Sequence, residues 1–330
     1  MKFGPVPVDD AEGAILAHSL KLAKGRLRKG RVLSRDDVQQ LSAAGISDVT
    51  VALLEEGDIG EDPAAERLAR ALVPDAARAG LRLGVASTGR VNIYADRTGV
   101  VEVLADRIDA LNALHPMITT ATVPKWQRVA VGDMVATVKI ISYAVPQAAL
   151  EAACLAGQTG LRVRGVTCQR ASLIQTRVDE KDSGEKGHSV TAARLSRMGV
   201  SLEPLQMVPH EIDPLATALQ ATDADILLIL TGSATSDAFD TAPEALRRAG
   251  GTVTHFGMPV DPGNLLFFGE LGGRPVIGLP GCAKSPAMNG ADWVLERLLC
   301  GVPVSSGDIA GMGVGGLLKE IPQRGRLRDG

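Results

Sequence analysis

The feature that most constrains the fold is an alternation of short apolar runs and amphipathic stretches between about residues 148 and 304. Such alternation is typical of a mostly parallel sheet that is covered by helices on both faces. The clearest strand candidates are Ile226–Leu230 and Val276–Leu279, because each is a short apolar run of strand length. We therefore predict an α/β fold with a C-terminal three-layer α/β/α domain over residues 148–304.

The residues before this domain are predicted to form a smaller, mixed α+β region that is rich in strands. Residues 1–74 form a small α+β element in which Ser34 caps a helix and Gly45 ends it. Residues 75–147 contain short runs rich in Val and Ile and form a β-rich region, packed with the first element as one domain. Residues 305–330 are glycine-rich and then basic, and we interpret them as a partly ordered or solvated tail.

Composition excludes several function classes. The net charge of −3 and the aromatic content of 3% argue against a general nucleic-acid-binding protein. No run approaches the roughly 18 apolar residues of a membrane helix, and the N-terminus does not resemble a secretory signal. The four cysteines lie far apart, which argues against a zinc site or a disulfide framework. We expect a cytoplasmic protein without nucleic-acid or membrane partners.

The first candidate ligand loop follows the strand Ile226–Leu230 and covers residues 231–240. Ligands of open parallel sheets bind beyond the carboxyl ends of strands, and this loop is rich in small hydroxyl residues that can approach an anion. Asp237 and Asp240 precede a helix with Pro243 in its first turn. Either aspartate can serve the ligand site, and either can simply cap that helix.

The second candidate loop follows Val276–Leu279 and covers residues 280–286. Ser285 is predicted to be the N-cap of a helix that has Pro286 as its first residue. Gly281 permits close approach of the backbone, and Lys284 adds a positive charge. Together they predict a phosphate or carboxylate site at a helix N-terminus.

These two loops, in this order, resemble those of the domain shared by molybdopterin adenylyltransferases and molybdopterin molybdotransferases. The family's glycine loop, TGG-T-G followed by four residues and Asp and then by the helix-opening TPEA, aligns without gaps with residues 231–245. The matching residues are Thr231, Gly232, Asp240, Pro243, Glu244 and Ala245. The family's LPG loop falls on residues 279–285, and residues 176–187 occupy the place of its first ligand loop.

Over nearly its whole length the chain is similar to bacterial molybdopterin-binding proteins that are often fused to a nucleotidyltransferase acting on the molybdenum cofactor. Residues 255–266 and 290–297 carry much of this similarity. The resemblance implies molybdopterin or molybdenum-loaded molybdopterin as the ligand, a nucleotidyltransferase as the partner protein, and a homo-oligomer. The implied ligand-binding residues are Thr176, Thr231, Gly232, Ser233, Thr235, Ser236, Pro280, Gly281, Lys284 and Ser285. Asp240 and Asp237 are the implied catalytic residues, with Asp240 as an implied Mg²⁺ ligand.

Two departures from the adenylyltransferase pattern affect what the resemblance implies. Ser233, Ala234 and Thr235 replace part of the TGGTG loop, and His210 stands near the place of a second acidic residue. A carboxylate coordinates Mg²⁺ well and a neutral imidazole does so poorly, so adenylylation is less strongly implied than pterin–phosphate binding.

Three functions therefore remain open at the level of sequence. The chain can bind molybdopterin and present it for nucleotide attachment or delivery. It can be a transferase of the molybdotransferase or adenylyltransferase type. It can also be a regulatory or interaction module that has lost its ligand, because a fold does not determine a function.

Overall fold

A computed structural model describes residues 1–23 and 25–318 of the chain. The chain divides into two compact units, the first formed by residues 1–97 and 101–163 and the second by residues 98–100 and 164 onward. The boundary thus falls at residue 163, whereas the sequence predicts it at residue 147. The basic residues of the predicted tail, Lys319, Arg324, Arg326 and Arg328, lie outside the described residues.

The first unit is rich in short strands. Its strands are β1 (Lys2–Pro7), β2 (Ile15–Leu16), β3 (Leu20–Leu22), β4 (Gly25–Leu27), β5 (Asp48–Leu53), β6 (Asp58–Gly60), β7 (Leu81–Leu83), β8 (Arg90–Ala95), β10 (Ile118–Thr122), β11 (Arg128–Val129), β12 (Met134–Ile140) and β13 (Ala144–Pro146). Its helices are α1 (Arg35–Ala43), α2 (Glu61–Leu72), α3 (Ala76–Ala79), α4 (Ala105–Leu114) and α5 (Gln147–Gly157). Strands β9 (Gly99–Val103) and β14 (Leu161–Gly165) contain residues of both units.

Helix α1 begins as the sequence predicts. The Asp37 N–H donates to Ser34 Oγ at 3.3 Å, and the Ser34 N–H donates to Asp37 Oδ2 at 3.0 Å, so the two residues form a reciprocal cap. Gly45, just beyond the helix, has a φ of +75° that favours glycine.

The second unit contains a seven-stranded sheet that confirms the predicted α/β fold. Its strands are β15 (Arg170–Arg177), β16 (Ser201–Leu202), β17 (Gln206–Pro209), β18 (Ile226–Leu230), β19 (Thr252–Met258), β20 (Asn264–Leu271) and β21 (Arg274–Leu279). The order is β16-β15-β18-β21-β20-β19, with β17 also paired to β15. Strands β15 to β18 and β21 run parallel, whereas β20 runs antiparallel to both β19 and β21.

Helices cover both faces of this sheet. On one face, α7 (Ile212–Ala221) and α8 (Thr241–Arg248) form an apolar core with alternate residues of the central strands. On the other face, a Cβ at Gly187 of α6 (Glu185–Ser196) would lie 2.6 Å from the Leu230 side chain, so α6 packs directly on β18. Helix α9 (Gly290–Leu299) is joined to α6 by an Arg194–Asp292 ion pair at 2.6 Å. The arrangement is the predicted three-layer α/β/α domain.

The predicted start of the last long helix is wrong. Residues 281–284 form a short 3₁₀ turn, Ser285 ends that turn, and α9 begins only at Gly290. Asn289 is the actual N-cap: its side chain accepts from the Ala291 N–H at 2.9 Å, and Asp292 accepts from the Asn289 N–H at 2.8 Å. This reciprocal cap stabilises the later start over the Ser285–Pro286 signal.

The segment interpreted as a tail begins with a further helix, α10 (Ser306–Ala310). Ser305 and Asp308 cap it reciprocally, and Ile309 and Met312 are buried. Among the described residues, no helix is long and apolar enough to cross a membrane.

Close packing inside the second unit gives a stability prediction. A Cβ at Gly278 of β21 would lie 1.9 Å from the ring of Phe267, which is 1% exposed. We expect Gly278→Ala to lower the free energy of unfolding by about 1–3 kcal/mol, because the ring cannot move within a packed core without strain. Urea denaturation measures this change. Gly307→Ala in α10 is the control, and equal midpoints for the two variants would contradict the packing argument.

Candidate functional site

Four strand ends define one edge of the sheet in the second unit. Because β15, β17, β18 and β21 are parallel, their last residues, Arg177, Pro209, Leu230 and Leu279, lie along the same edge. The two predicted ligand loops follow β18 and β21 directly. The topology therefore places both loops where ligands of open α/β sheets bind.

The two loops line one small pocket. It has a volume of about 130 Å³ and is lined by Thr231, Ala234, Thr235, Gly263, Asn264, Leu265, Leu279, Pro280, Gly281 and Cys282. Sites for drug-sized ligands usually measure about 300–1,000 Å³. This pocket therefore has room for one end of a ligand, such as a phosphate-sized group, while the rest lies on the surface around it.

The third wall of the pocket is a segment that the sequence analysis missed. Strand β20 runs antiparallel to β21, so its first residue, Asn264, lies at the edge where β21 ends. Residues 263–265 thereby reach the pocket from the start of a strand. Ligand-binding residues of a parallel sheet are expected after strands, so the sequence does not predict a role for these three. The sequence Pro262-Gly263-Asn264 does indicate a turn.

Asn264, one of the residues that line this pocket, has an unsatisfied donor. The side chain is 6% exposed, and its Oδ1 accepts from the Leu266 N–H at 3.1 Å. Within the described part of the chain, the buried Nδ2 group has no hydrogen-bond partner. A buried donor without an acceptor costs free energy, and an acceptor on a ligand would remove that cost.

Thr176 connects three of the strand ends. Its hydroxyl oxygen accepts from the Gly232 N–H at 3.0 Å and lies 2.8 Å from His210 Nδ1. Thr176 is 2% exposed, and a Cβ at Gly232 would lie 2.7 Å from the Thr176 carbonyl oxygen. Thr176 thus fixes the start of the first loop against β15, and glycine at 232 is needed for this close approach.

Asp240 caps helix α8, as one of the two alternatives requires. Its Oδ1 accepts from the Thr241 N–H at 2.6 Å, and its Oδ2 accepts from the Ser236 N–H at 2.8 Å. The carboxylate therefore both caps the helix and folds the loop back on itself. Asp237 is exposed and accepts from the Phe239 N–H at 2.8 Å, which makes it a turn residue.

Hydrogen bonding lowers the pKa of Asp240. Burial alone would raise the pKa of this carboxyl, but the Ser236 and Thr241 N–H groups and the nearby His210 stabilise the charged form more strongly. The Asp240 carboxylate is thus ionised whenever the protein is near neutral pH.

A buried arginine holds the second loop. Arg194 of α6 is 8% exposed, and its guanidinium donates to the carbonyl oxygens of Ala283, Ser285 and Ala287 at 2.7, 2.6 and 3.1 Å. Its Nε donates to Asp292 Oδ1 at 2.6 Å. Arg194 lies about ninety residues before these partners, so no local sequence pattern indicates its role.

The predicted site residues are only partly brought together. Thr231, Thr235, Pro280 and Gly281 line the pocket, and Thr176 and Gly232 support its first loop. Ser233 and Ser236 are exposed on that loop. The Ser285 carbonyl oxygen accepts a hydrogen bond from Arg194, and Lys284 forms a 3.9 Å ion pair with Asp182. Neither Ser285 nor Lys284 lines the pocket.

The described residues do not fit the implied Mg²⁺ site. Both oxygens of Asp240 already accept backbone hydrogen bonds, and its neighbour is the imidazole of His210. Across residues 1–23 and 25–318, no group of three or more His, Cys, Asp and Glu side chains could hold a metal ion. We therefore derive no chemical step through Mg²⁺ at this site.

Comparison with known proteins assigns the domain that carries this pocket. Residues 176–299 match the family model described as a probable molybdopterin binding domain. The match covers the part of the second unit that carries the pocket. Residues 5–53 match a second model, described only as a domain of unknown function, and no curated protein matches the sequence.

The chain also shows low similarity to solved structures of proteins of molybdopterin and molybdenum cofactor biosynthesis. The molybdopterin biosynthesis MoeA protein from Pyrococcus horikosii is 13% identical, with 91% of this chain and 75% of that chain covered and a TM-score of 0.32. Molybdenum cofactor biosynthesis protein B is 15% identical, with 41% of this chain and 96% of that chain covered and a TM-score of 0.32. Because both TM-scores are low, the assignment rests on the family model.

The two roles of Asp240 predict a pH dependence of stability. Its folded-state pKa is depressed, so its contribution is complete well above the unfolded value of about 3.9 and is lost as pH falls through the folded value. We expect Asp240→Asn to lower the free energy of unfolding by about 0.5–1 kcal/mol at pH 7, with the difference from wild type shrinking as the pH falls through the depressed pKa of the folded-state carboxyl. Denaturation across pH 2–7 measures this, with Asp237→Asn as the control. A difference that stays constant with pH would contradict the assignment.

Proposed function

We propose that the second unit binds molybdopterin, with or without molybdenum, and holds its terminal phosphate in the pocket formed by residues 231–235, 263–265 and 280–282. The observation that carries this proposal is the convergence of the two loops on a pocket that is lined by Asn264, a residue whose buried Nδ2 has no partner among the described residues. A phosphate oxygen is a suitable acceptor for that donor and for one hydroxyl of the Thr231–Thr235 pair, in which the two oxygens lie 3.3 Å apart and one proton is used within the pair.

Binding and presentation of the ligand fit the site better than group transfer. In an adenylyl or molybdate transfer, the charge that develops on the phosphate needs cations nearby, and a metal ion that supplies such a charge needs free carboxylates to hold it. Here the Asp240 carboxylate is committed to two backbone N–H groups, and the Lys284 ammonium is paired with Asp182. We therefore assign the protein a role in molybdenum cofactor biosynthesis or in delivery of the cofactor.

The same proposal covers the partner protein, the oligomeric state and the location in the cell. A bound cofactor precursor has to be passed on, and attachment of a nucleotide to its phosphate is a reaction that would use it. We propose a nucleotidyltransferase as the partner protein, a homo-oligomeric assembly and a location in the cytoplasm. Co-purification from the native host tests the partner, and light scattering tests the oligomeric state.

The decisive experiment is mass spectrometry of the ligand that the purified native protein retains, followed by incubation with molybdopterin, ATP, Mg²⁺ and molybdate. Retention of a pterin phosphate without turnover supports the proposal. Conversion to an adenylylated or molybdenum-containing product would establish a transferase instead. Absence of any pterin, together with no binding of added molybdopterin, would establish the interaction-module alternative.

The Asn264 donor gives a prediction for affinity. Asn264→Asp keeps the Oδ1 acceptor for Leu266 but replaces the Nδ2 donor with an oxygen that repels a phosphate. We expect affinity for molybdopterin to fall at least tenfold, or about 1.4 kcal/mol, as measured by isothermal titration calorimetry.

Asn289→Asp is the matched control for this experiment. Asn289 also accepts a backbone hydrogen bond through Oδ1 and also has a buried Nδ2 without a partner among the described residues, but it does not line the pocket. Thermal denaturation of both variants separates loss of folding from loss of binding. An equal loss of affinity in the two folded variants would contradict the role of Asn264.

A further inference from the structure

A second polar pocket lies in the first unit, on one face of the sheet formed by β10, β12, β8 and β7. The register of this sheet places Thr119 opposite Lys139, and Lys139 opposite Arg90, so that these three residues form a row across three strands. Alternate residues on the same strands, such as Val91 and Val138, belong to the apolar core. The row therefore lies on the face that points away from the core.

Two positively charged residues, Lys139 and Arg90, occupy directly opposed positions in this row. Like charges at directly opposed positions of an antiparallel sheet are destabilising. Lys139 Nζ lies 3.7 Å from Glu61 Oε2, which offsets one of the two charges. Arg90 is exposed, and among residues 1–23 and 25–318 its guanidinium has neither a hydrogen-bond partner nor an ion-pair partner. The Arg90 guanidinium, with its five N–H donors, is thus available to bind a ligand.

The backbone before Arg90 is held in a strained turn. Thr88 has a φ of +51°, which is unusual for a β-branched residue, and Gly89 follows with a φ of +70°. The Gly89 N–H donates to Asp62 Oδ1 at 2.6 Å, the Ile140 N–H donates to the Gly89 carbonyl at 2.8 Å, and Lys139 Nζ donates to the Thr88 carbonyl. Strain that surrounding bonds maintain is concentrated at functional sites.

The row borders a pocket of about 470 Å³, which is within the usual size range for small-molecule sites. It is lined by Arg90, Asn112, Thr119, Thr120, Ala121, Thr137 and Lys139. The Thr119 hydroxyl donates to the Lys139 carbonyl and the Thr137 hydroxyl donates to Asn92 Oδ1, so both are occupied as donors. Charged donors for a ligand therefore come from Arg90 and from the remaining protons of Lys139, and the Thr120 hydroxyl has no partner among the described residues.

We propose that this pocket is an anion-binding site that recognises the phosphate-type oxyanion of a small molecule through Arg90 and Lys139. The planar guanidinium of Arg90 makes paired hydrogen bonds to the oxyanion, and the Lys139 ammonium contributes a point charge. An anion between the two cations replaces their mutual repulsion with attraction. The site does not depend on the function proposed for the second unit.

The test is calorimetric titration of the full chain at constant ionic strength, combined with NMR of the arginine Nε–H groups. The probes are inorganic phosphate, sulfate, molybdate and AMP. We expect at least one probe to shift the Arg90 resonance saturably, and Arg90→Gln to weaken that binding at least tenfold. Arg35→Gln removes one exposed charge from helix α1 and is the matched control, expected to leave the affinity unchanged.

The probes and variants also separate the sources of any signal. Tighter binding of AMP than of inorganic phosphate indicates an organic phosphate, and equal binding indicates a free oxyanion; both support the site. Binding that is lost in Asn264→Asp but kept in Arg90→Gln belongs to the second unit and would overturn this proposal. A linear, non-saturating shift of the Arg90 resonance with every probe, or equal affinities of Arg90→Gln and Arg35→Gln, would also overturn it.

Discussion

The candidate site of the second unit depends on one buried guanidinium. Arg194 is the group that connects α6, the loop after β21 and helix α9, through three carbonyl oxygens and one carboxylate. A planar fork with five donors suits these four acceptors, and a lysine ammonium has neither the number nor the geometry of donors. Because α9 begins five residues after Ser285, no α-helix follows the loop directly and fixes its position. Arg194 supplies that constraint from another layer of the domain.

The first loop is fixed in a different way, by short-range polar contacts. Thr176 receives the Gly232 N–H, and Asp240 receives the Ser236 N–H. These bonds hold the loop at its beginning and at its end, so the intervening hydroxyl residues are presented on a defined backbone. The two loops are fixed by different contacts but share one property. In each, charged or hydroxyl side chains hold backbone donors and acceptors in place before any ligand binds.

The parallel sheet and its edge could be predicted from the sequence because they rest on local pattern. Apolar runs of strand length alternate with helices, and small hydroxyl residues follow Leu230 at the point where strands of this kind bind ligands. The sequence therefore predicts both ligand loops. The family resemblance stated from the residues of these loops is confirmed by the match over residues 176–299.

What could not be predicted depends on long-range contacts or on competition between local signals. Ser285 and Pro286 form a plausible helix start, but the cap at Asn289 is reciprocal and prevails. The start of strand β20 reaches the pocket only because β20 runs antiparallel to β21. The spacing of apolar residues in the sequence does not indicate this direction. Thr176 and His210, which form a hydrogen bond, are 34 positions apart, and neither local sequence indicates this contact.

The reversal of β20 also bears on how such a domain can change over evolution. Two walls of the pocket follow central strands and are tied by buried bonds, whereas the third wall is the connection of an antiparallel β19–β20 pair. Insertions and deletions are tolerated best in surface connections between paired strands. Within this connection Val260 is buried and Asp261 is hydrogen-bonded to residues 316 and 318, so only Pro262 and Gly263 form an exposed tip. Lengthening or shortening that tip would alter the shape of one end of the cavity while the anchored walls keep their positions, which offers related proteins a simple route to ligands of different size.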